Sequence, residues 1–245
     1  MNKDYYLSGT KIVMRRLFKC DIEEILNCYK DYKKLYYNPI NKDFLDHIFM
    51  CGEIWGSFFR SELIGCCYYF PIDSAFFKKS ASYDAIADFL ECTEKYYYMG
   101  YVGFRSDSSL KKEDSDVYGG IYQAFLNIAQ MQAFRCNYKY ILHTIPIKIS
   151  EYKEKLFACG YSLIKLRGLE NLVVHYVFAK SVFNDENIYE TQHDTEIEKV
   201  SAENTKKVSA LLENGYFGID YSKKENCFCM QKSIAYQDTF FHCVE

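Results

Sequence analysis

Two adjacent glycines, Gly119 and Gly120, stand within DVYGGIYQAFLNIAQMQAFRCNYKYILHT (116–144), which reads as a loop, a helix and a strand. They fall where the polar segment RSDSSLKKEDSDVYGG (105–120) gives way to helical periodicity. Ile121, Phe125 and Ile128 share one apolar side, widened by Tyr122, Leu126, Ala129 and Ala133, with Gln123, Asn127 and Gln130 opposite. A helix start offers unpaired backbone N–H groups and a positive dipole end, and both attract anions. Glycine allows a ligand to approach that backbone closely. A tight, ligand-free turn into the helix is the alternative reading. Local charge does not decide between them, since Lys111 and Lys112 are offset by Glu113, Asp114 and Asp116.

Cysteine is the other chemistry-bearing residue. The chain has 11, an odd number, and no CxxC pair. Cys227 and Cys229 near His242 and Cys243 offer sulfur and nitrogen ligands, but their spacing fits no common zinc pattern. No metal site is expected. The start MNKDYYLSGT lacks an apolar signal-like stretch, so reduced, buried thiols in a cytoplasmic protein are the expectation.

Composition narrows the classes. The 245 residues carry a net charge of −3 without a basic block, which disfavours nucleic acid as a partner. No run of apolar residues is long enough to span a membrane. Aromatic residues make up 18% of the chain, led by 24 Tyr, and only three residues are Pro. Tyr can line a cleft, or it can replace Phe and Leu at half-buried sites.

The elements that must position these residues follow from periodicity and turn chemistry. KIVMRRLF (11–18) reads as a strand, followed by a helix that Asp21 caps and Glu24 completes as a capping box. A short helix follows over 42–50. EIWGSFFR (53–60) and LIGCCYYF (63–70) form a hairpin turning at Ser61-Glu62. SYDAIADFLECTEK reads as a helix, YYYMGYVGF (96–104) as one aromatic strand, and KYILHTIP (139–146) as a buried strand. A helix over 150–160, capped by Ser150 and closed by Gly160, leads to a hairpin of 161–168 and 170–180. Beyond a linker, a helix capped by Ser201 and a hairpin over 216–232 complete the chain. The expectation is two parts, residues 1–180 and an extension, 181–245, packed on them.

This order resembles the GNAT superfamily of N-acyltransferases over roughly residues 10–180. IVMRRLFKCDIEEIL, SELIGCCYYF, YMGYVGF with the loop and GGIYQAFLNIAQMQA, and LFACGYSLIK carry the resemblance. It implies an α/β fold with a mixed, largely antiparallel central sheet flanked by helices, here with a C-terminal α+β extension. It also implies an acetyl-CoA or other acyl-CoA co-substrate and an amine acceptor, a small molecule or a peptide. By resemblance, Gly119, Gly120, Ile121 and Tyr122 would cradle the pyrophosphate. The backbone near Val102 and Phe104 would hold the pantetheine arm. The family's loop pattern is imperfectly matched: Val117 stands at a polar position and Tyr122 at a glycine. The family's frequent Tyr acid falls on Leu156, which leaves Tyr152, one turn earlier, as the candidate. Glu94 and His143 are the candidate bases, His143 because imidazole titrates near neutral pH. Cys66 and Cys67 read as core thiols rather than acyl carriers. A degraded binding or regulatory protein, and a longer or carrier-bound acyl donor, stay open. So does the oligomeric state, a homodimer included.

Overall fold

The computed structural model describes residues 3–7, 10–30, 40–72, 96–108, 115–149, 151–167, 174–183 and 197–233. Twelve strands form one sheet: β1 (Lys3–Leu7), β2 (Thr10–Leu17), β3 (Glu53–Phe59), β4 (Glu62–Pro71), β5 (Tyr96–Met99), β6 (Gly103–Phe104), β7 (Tyr140–Pro146), β8 (Ser162–Arg167), β9 (His175–Ser181), β10 (Ile197–Ser201), β11 (Tyr216–Ser222) and β12 (Cys227–Lys232). Their order is β1-β2-β3-β4-β5-β7-β9-β8-β11-β12-β10, with β6 paired to β4. Among the described residues every pairing is antiparallel except β5 with β7. The expected mixed, largely antiparallel sheet flanked by helices is therefore present.

Strand alternation builds two cores, one on each face. The first face packs Tyr97, Met99, Ile141 and Ile145 under α3 (Ser115–Arg135) through Ile121, Phe125 and Ala129. The short α4 (Lys153–Ala158) and α5 (Thr205–Glu213) lie on the same side through Leu156, Val208 and Leu212. The second face packs Tyr98, Leu142 and Val177 under α1 (Ile22–Tyr29) and α2 (Lys42–Cys51). Several tyrosines sit in these cores with their hydroxyls bonded to backbone carbonyls. Tyr69 donates to the Phe125 carbonyl at 3.0 Å and Tyr176 to the Ala202 carbonyl at 2.8 Å. An aromatic ring can thus be fully buried where its hydroxyl meets a backbone acceptor.

Local details depart from the periodicity reading. Asp21 turns back instead of capping α1 forward. Its carboxylate accepts from the Phe18 N–H at 2.9 Å and from Arg15, a pairing that lowers the Asp21 pKa. The hairpin turns at Arg60-Ser61, both at positive φ, so the loop lies one residue earlier than expected. Asn204, not Ser201, caps α5, accepting from the Lys207 N–H at 3.1 Å. The helix expected over SYDAIADFLECTEK lies outside the described residues, as do Ser150, His242 and Cys243.

The C-terminal strands enlarge the sheet rather than standing apart from it. β11 joins β8 at the register pair Gly218–Leu163, and β12 and β10 follow outward. Phe228 on β12 and Tyr221 on β11 pack their rings 5.2 Å apart, and Tyr176 on β9 meets Phe228 at 5.1 Å. A Cβ at Gly218 would lie 2.8 Å from Leu163 Cβ, so this seam closes only on a bare Cα. Gly218→Val is expected to cost about 1–3 kcal/mol through overpacking, and Tyr176→Phe about 1 kcal/mol through the lost bond to Ala202. Urea unfolding midpoints of the two variants check both values.

Candidate active site

The sheet opens along one seam. β5 and β7 pair in parallel for four residues, from Tyr96–Tyr140 to Met99–His143. β7 then runs on to Pro146, paired among the described residues with β9 on its other side only. The first strand of the pair instead bends away. Register places Met99 opposite Tyr69 and Gly103 opposite Cys66, so three residues, Gly100 to Val102, face two, Cys67 and Tyr68. One extra residue in an antiparallel ladder is a β-bulge, which bends the strand. The aromatic strand expected over 96–104 is therefore two strands, because the bulge residue breaks the ladder.

Side chains hold the bulge from both faces. The Tyr29 hydroxyl of α1 donates to the Tyr101 carbonyl at 2.8 Å. The Gly100 N–H donates to the Tyr68 carbonyl at 2.8 Å, and the Cys67 thiol sits 3.3 Å from the Gly100 carbonyl. A Cβ at Gly100 would come within 2.1 Å of the Tyr68 ring. Cys66 and Cys67 are core thiols whose pKa values burial raises, and their function here is packing and hydrogen bonding. Val102 lies in the bulge and Phe104 in β6, which pairs with β4 alone among the described residues. The backbone edges of 101–104 and of 144–146 thus face an opening between diverging strands.

His143 closes the apex of that opening. It is 0% exposed, and its Nδ1 lies 2.9 Å from the Met99 carbonyl. A carbonyl only accepts, so Nδ1 carries the proton and Nε2 must accept. Tyr122 supplies that donor: its hydroxyl is 2.7 Å from Nε2. Burial lowers the His143 pKa from 6.5 to about 4, and the neutral ring is held in one tautomer. This geometry does not suit the general-base role considered for His143, because both nitrogens are already bonded inside the core. His143 acts here as a strut between β5, β7 and α3.

The helix start also differs from the reading of the glycine pair. α3 begins at Ser115, so Gly119 and Gly120 lie in its second turn rather than at a loop junction. Fifth and sixth residues of a helix bond back to the preceding turn, so their N–H groups do not form an open nest. Helical periodicity already runs through the glycines because the loop residues before them join the first turn. Gly119 serves a packing purpose instead. A Cβ there would lie 2.5 Å from Lys155 Cε and 2.8 Å from its Nζ, so the bare Cα lets the Lys155 ammonium cross the helix one turn from its start. Lys155 was not singled out from the sequence. Its only signal is its position three residues after Tyr152. Ile121 and Tyr122 are buried, with Tyr122 turned toward His143 and not toward the helix end. Asp116 places a carboxylate in the first turn.

Aromatic rings bridge the opening. Tyr152, at the N-cap position of α4 and 8% exposed, stacks on Tyr122 with centroids 4.1 Å apart and planes 12° apart. Phe104 meets Tyr118 edge-on at 5.0 Å and Tyr152 at 6.3 Å. Arg105, just past β6, is engaged by Glu24 at 3.0 Å and Asp107 at 2.8 Å. Leu156, at the position where the resemblance places an acid, is core. Glu94 lies outside the described residues. Among those residues no cluster of three or more His, Cys, Asp or Glu side chains is arranged to hold a metal, and no helix is long and apolar enough to cross a membrane.

Comparison with known proteins identifies the architecture. No family model and no curated protein matches the sequence. Solved structures do match the fold. The structure of FeeM, an N-acyl amino acid synthase from uncultured soil microbes, aligns over 71% of this chain and 92% of its own at 14% identity, with a TM-score of 0.51. Arabidopsis thaliana NAA60, in complex with acetyl-CoA, aligns over 71% of this chain and 99% of its own at 14% identity, with a TM-score of 0.50.

The His143 strut makes stability depend on pH. The folded ring takes a proton only near pH 4, whereas the unfolded ring does so near 6.5. Unfolding therefore takes up a proton between these values, and stability rises with pH across that window, by roughly 3 kcal/mol at full expression. Urea titrations at pH 4.5 and 7 should show this slope, and His143→Gln should flatten it. Tyr122→Phe leaves Nε2 without its donor and is expected to cost about 1–3 kcal/mol.

Proposed function

We propose that this chain, which has the fold of the GNAT N-acyltransferases, transfers an acyl group from acyl-CoA to an amine. The observation that carries the reading is the opened seam between β6 and β7 beyond the bulge. Diverging strands leave backbone edges that no described strand pairs with, and an extended amide-bearing arm can pair with them as a strand would. Val102 and Phe104 would present this edge to the pantetheine arm. Lys155, crossing the second turn of α3 over Gly119, would meet the pyrophosphate near the positive helix end. These residues fit such a donor, with Asp116 as the opposing charge.

The donor supplies an activated acyl group. The chain supplies placement, which can account for a large part of such a rate enhancement. The amine nitrogen forms a bond to the acyl carbon as the carbon–sulfur bond breaks. The proton lost by nitrogen returns to sulfur, so the overall step is balanced. Tyr152 is the group we assign to that return, since it lies beside the opening at the start of α4 while Leu156 and His143 are sealed in the core. The acceptor is a small molecule or peptide amine. A longer acyl chain is a second donor class.

A second reading has its own observation. The Tyr122–Tyr152 stack crosses the opening, and a closed stack would suit a protein that binds a partner and has lost the donor. Calorimetric titration with acetyl-CoA and then decanoyl-CoA separates the two, followed by thiol release across an amine panel. Micromolar binding of either donor is expected. Lys155→Ala should weaken it about three- to tenfold, with a steep dependence on salt as screening predicts. Tyr152→Phe should lower kcat at least tenfold while leaving donor affinity within about twofold. Absence of binding to both donors would retire the transferase reading in favour of the second.

A further inference from the structure

α4 presents consecutive residues to two different places. Tyr152 faces the seam, and Lys153 faces the opposite way, into the C-terminal strands. Lys153 is 2% exposed. Its ammonium lies 4.8 Å from the ring centre of Tyr176, 5.1 Å from Tyr221 and 5.5 Å from Phe228. One long bond, 3.5 Å to the Ile147 carbonyl, is its single hydrogen bond to a described residue. An ammonium carries three donors, so two are left without an acceptor there, and no described carboxylate pairs with the charge. A buried cation without a counter-charge is costly to hold. Desolvation accordingly pulls its pKa down to about 8, which still leaves it mostly charged at neutral pH.

This ammonium borders a cavity of about 590 Å³ between the end of β7 and the C-terminal strands. Lys148 and Lys223 stand at its exposed mouth, with Thr205 on the α5 side. Glu203 is the one carboxylate on its wall, and Asn226 engages it at 3.1 Å while accepting from Tyr221 at 2.7 Å. Beside the cavity the Glu154 carboxylate accepts from the Lys223 N–H at 2.9 Å, so three lining cations stand against one lining anion and one adjoining anion, both already hydrogen-bonded. Tyr221 adds an aromatic wall. Six of the nine residues lining this cavity follow residue 200.

We propose that this cavity binds a small molecule bearing an oxyanion, a carboxylate or a phosphate group, with Lys153 as the inner contact and Lys148 and Lys223 as the outer ones. The ligand supplies the counter-charge that the aromatic cage lacks. The site does not depend on the acyl-transfer reading, because it lies on the other side of α4 from the seam and uses none of its residues.

Thermal unfolding and calorimetry of the full chain with succinate, citrate and inorganic phosphate test this, each against sodium chloride at matched ionic strength. A ligand that binds only the folded state raises the unfolding midpoint. At least one of the three is expected to raise it saturably. Response to the two carboxylates alone assigns a carboxylate ligand, and response to phosphate alone assigns a phosphate. Lys153→Met should keep the fold, since it places an apolar chain in an apolar cage, and should weaken binding at least tenfold. Lys148→Ala/Lys223→Ala, at the exposed mouth, should weaken it at least threefold with an unchanged midpoint in chloride. No saturable shift with any of the three anions overturns the proposal, and so does undiminished affinity in both variants.

Discussion

A single hydrogen bond marks the place on which the site depends. Where β5 and β7 stop pairing, the His143 ring donates from Nδ1 to the Met99 carbonyl at 2.9 Å. In a continuing parallel ladder that carbonyl would meet a backbone N–H. Here a side chain takes it, so the backbone beyond is free to diverge. The bulge at Gly100–Val102 then turns β6 outward, and Tyr29 and Cys67 hold the turn. Because Nδ1 is committed, Nε2 must accept, and Tyr122 is drawn down from α3 to donate. Tyr122 in turn provides the surface on which Tyr152 stacks. The opening, the helix above it and the start of α4 are therefore connected through one neutral imidazole.

Tyrosine does in this chain what backbone pairing cannot. A bulge, a strand end and a sheet seam each leave carbonyls that strands do not satisfy. Tyr29 and Tyr176 reach such carbonyls from buried rings. Each ring fills core volume while its hydroxyl removes an unsatisfied acceptor, which is worth more in a low-dielectric interior than at the surface.

The C-terminal strands extend the sheet past β8. By pairing β11 to β8 they cover a sheet edge that would otherwise present unpaired backbone. They also bring Tyr221 and Phe228 against Tyr176 and so create the cage around Lys153. One short helix, α4, consequently borders both the seam and the cavity, with adjacent residues serving each.

The sequence by itself determined the element types and the layered α/β class, because apolar spacing and turn residues are local properties. Ile121, Phe125 and Ile128 announce a helix, and the β-branched and aromatic runs announce strands. Gly160 and Gly215, both at positive φ, announce helix ends. The resemblance in element order pointed to the fold for the same reason. The site was legible only in outline. The residues expected to bind a phosphate at a loop lie within α3, since a helix can begin in residues whose side chains show no period. The residue expected to act as a base is a sealed strut, since burial and the partners of both its nitrogens are set by elements more than 20 residues away. Lys153 and Lys155 carry no sequence signal that separates them from other lysines. One meets three rings from β9, β11 and β12, and the other crosses a glycine on α3. Only the tertiary structure decided those meetings, because they depend on where the sheet bends and which strand closes its edge, and neither is encoded in any single stretch of the chain.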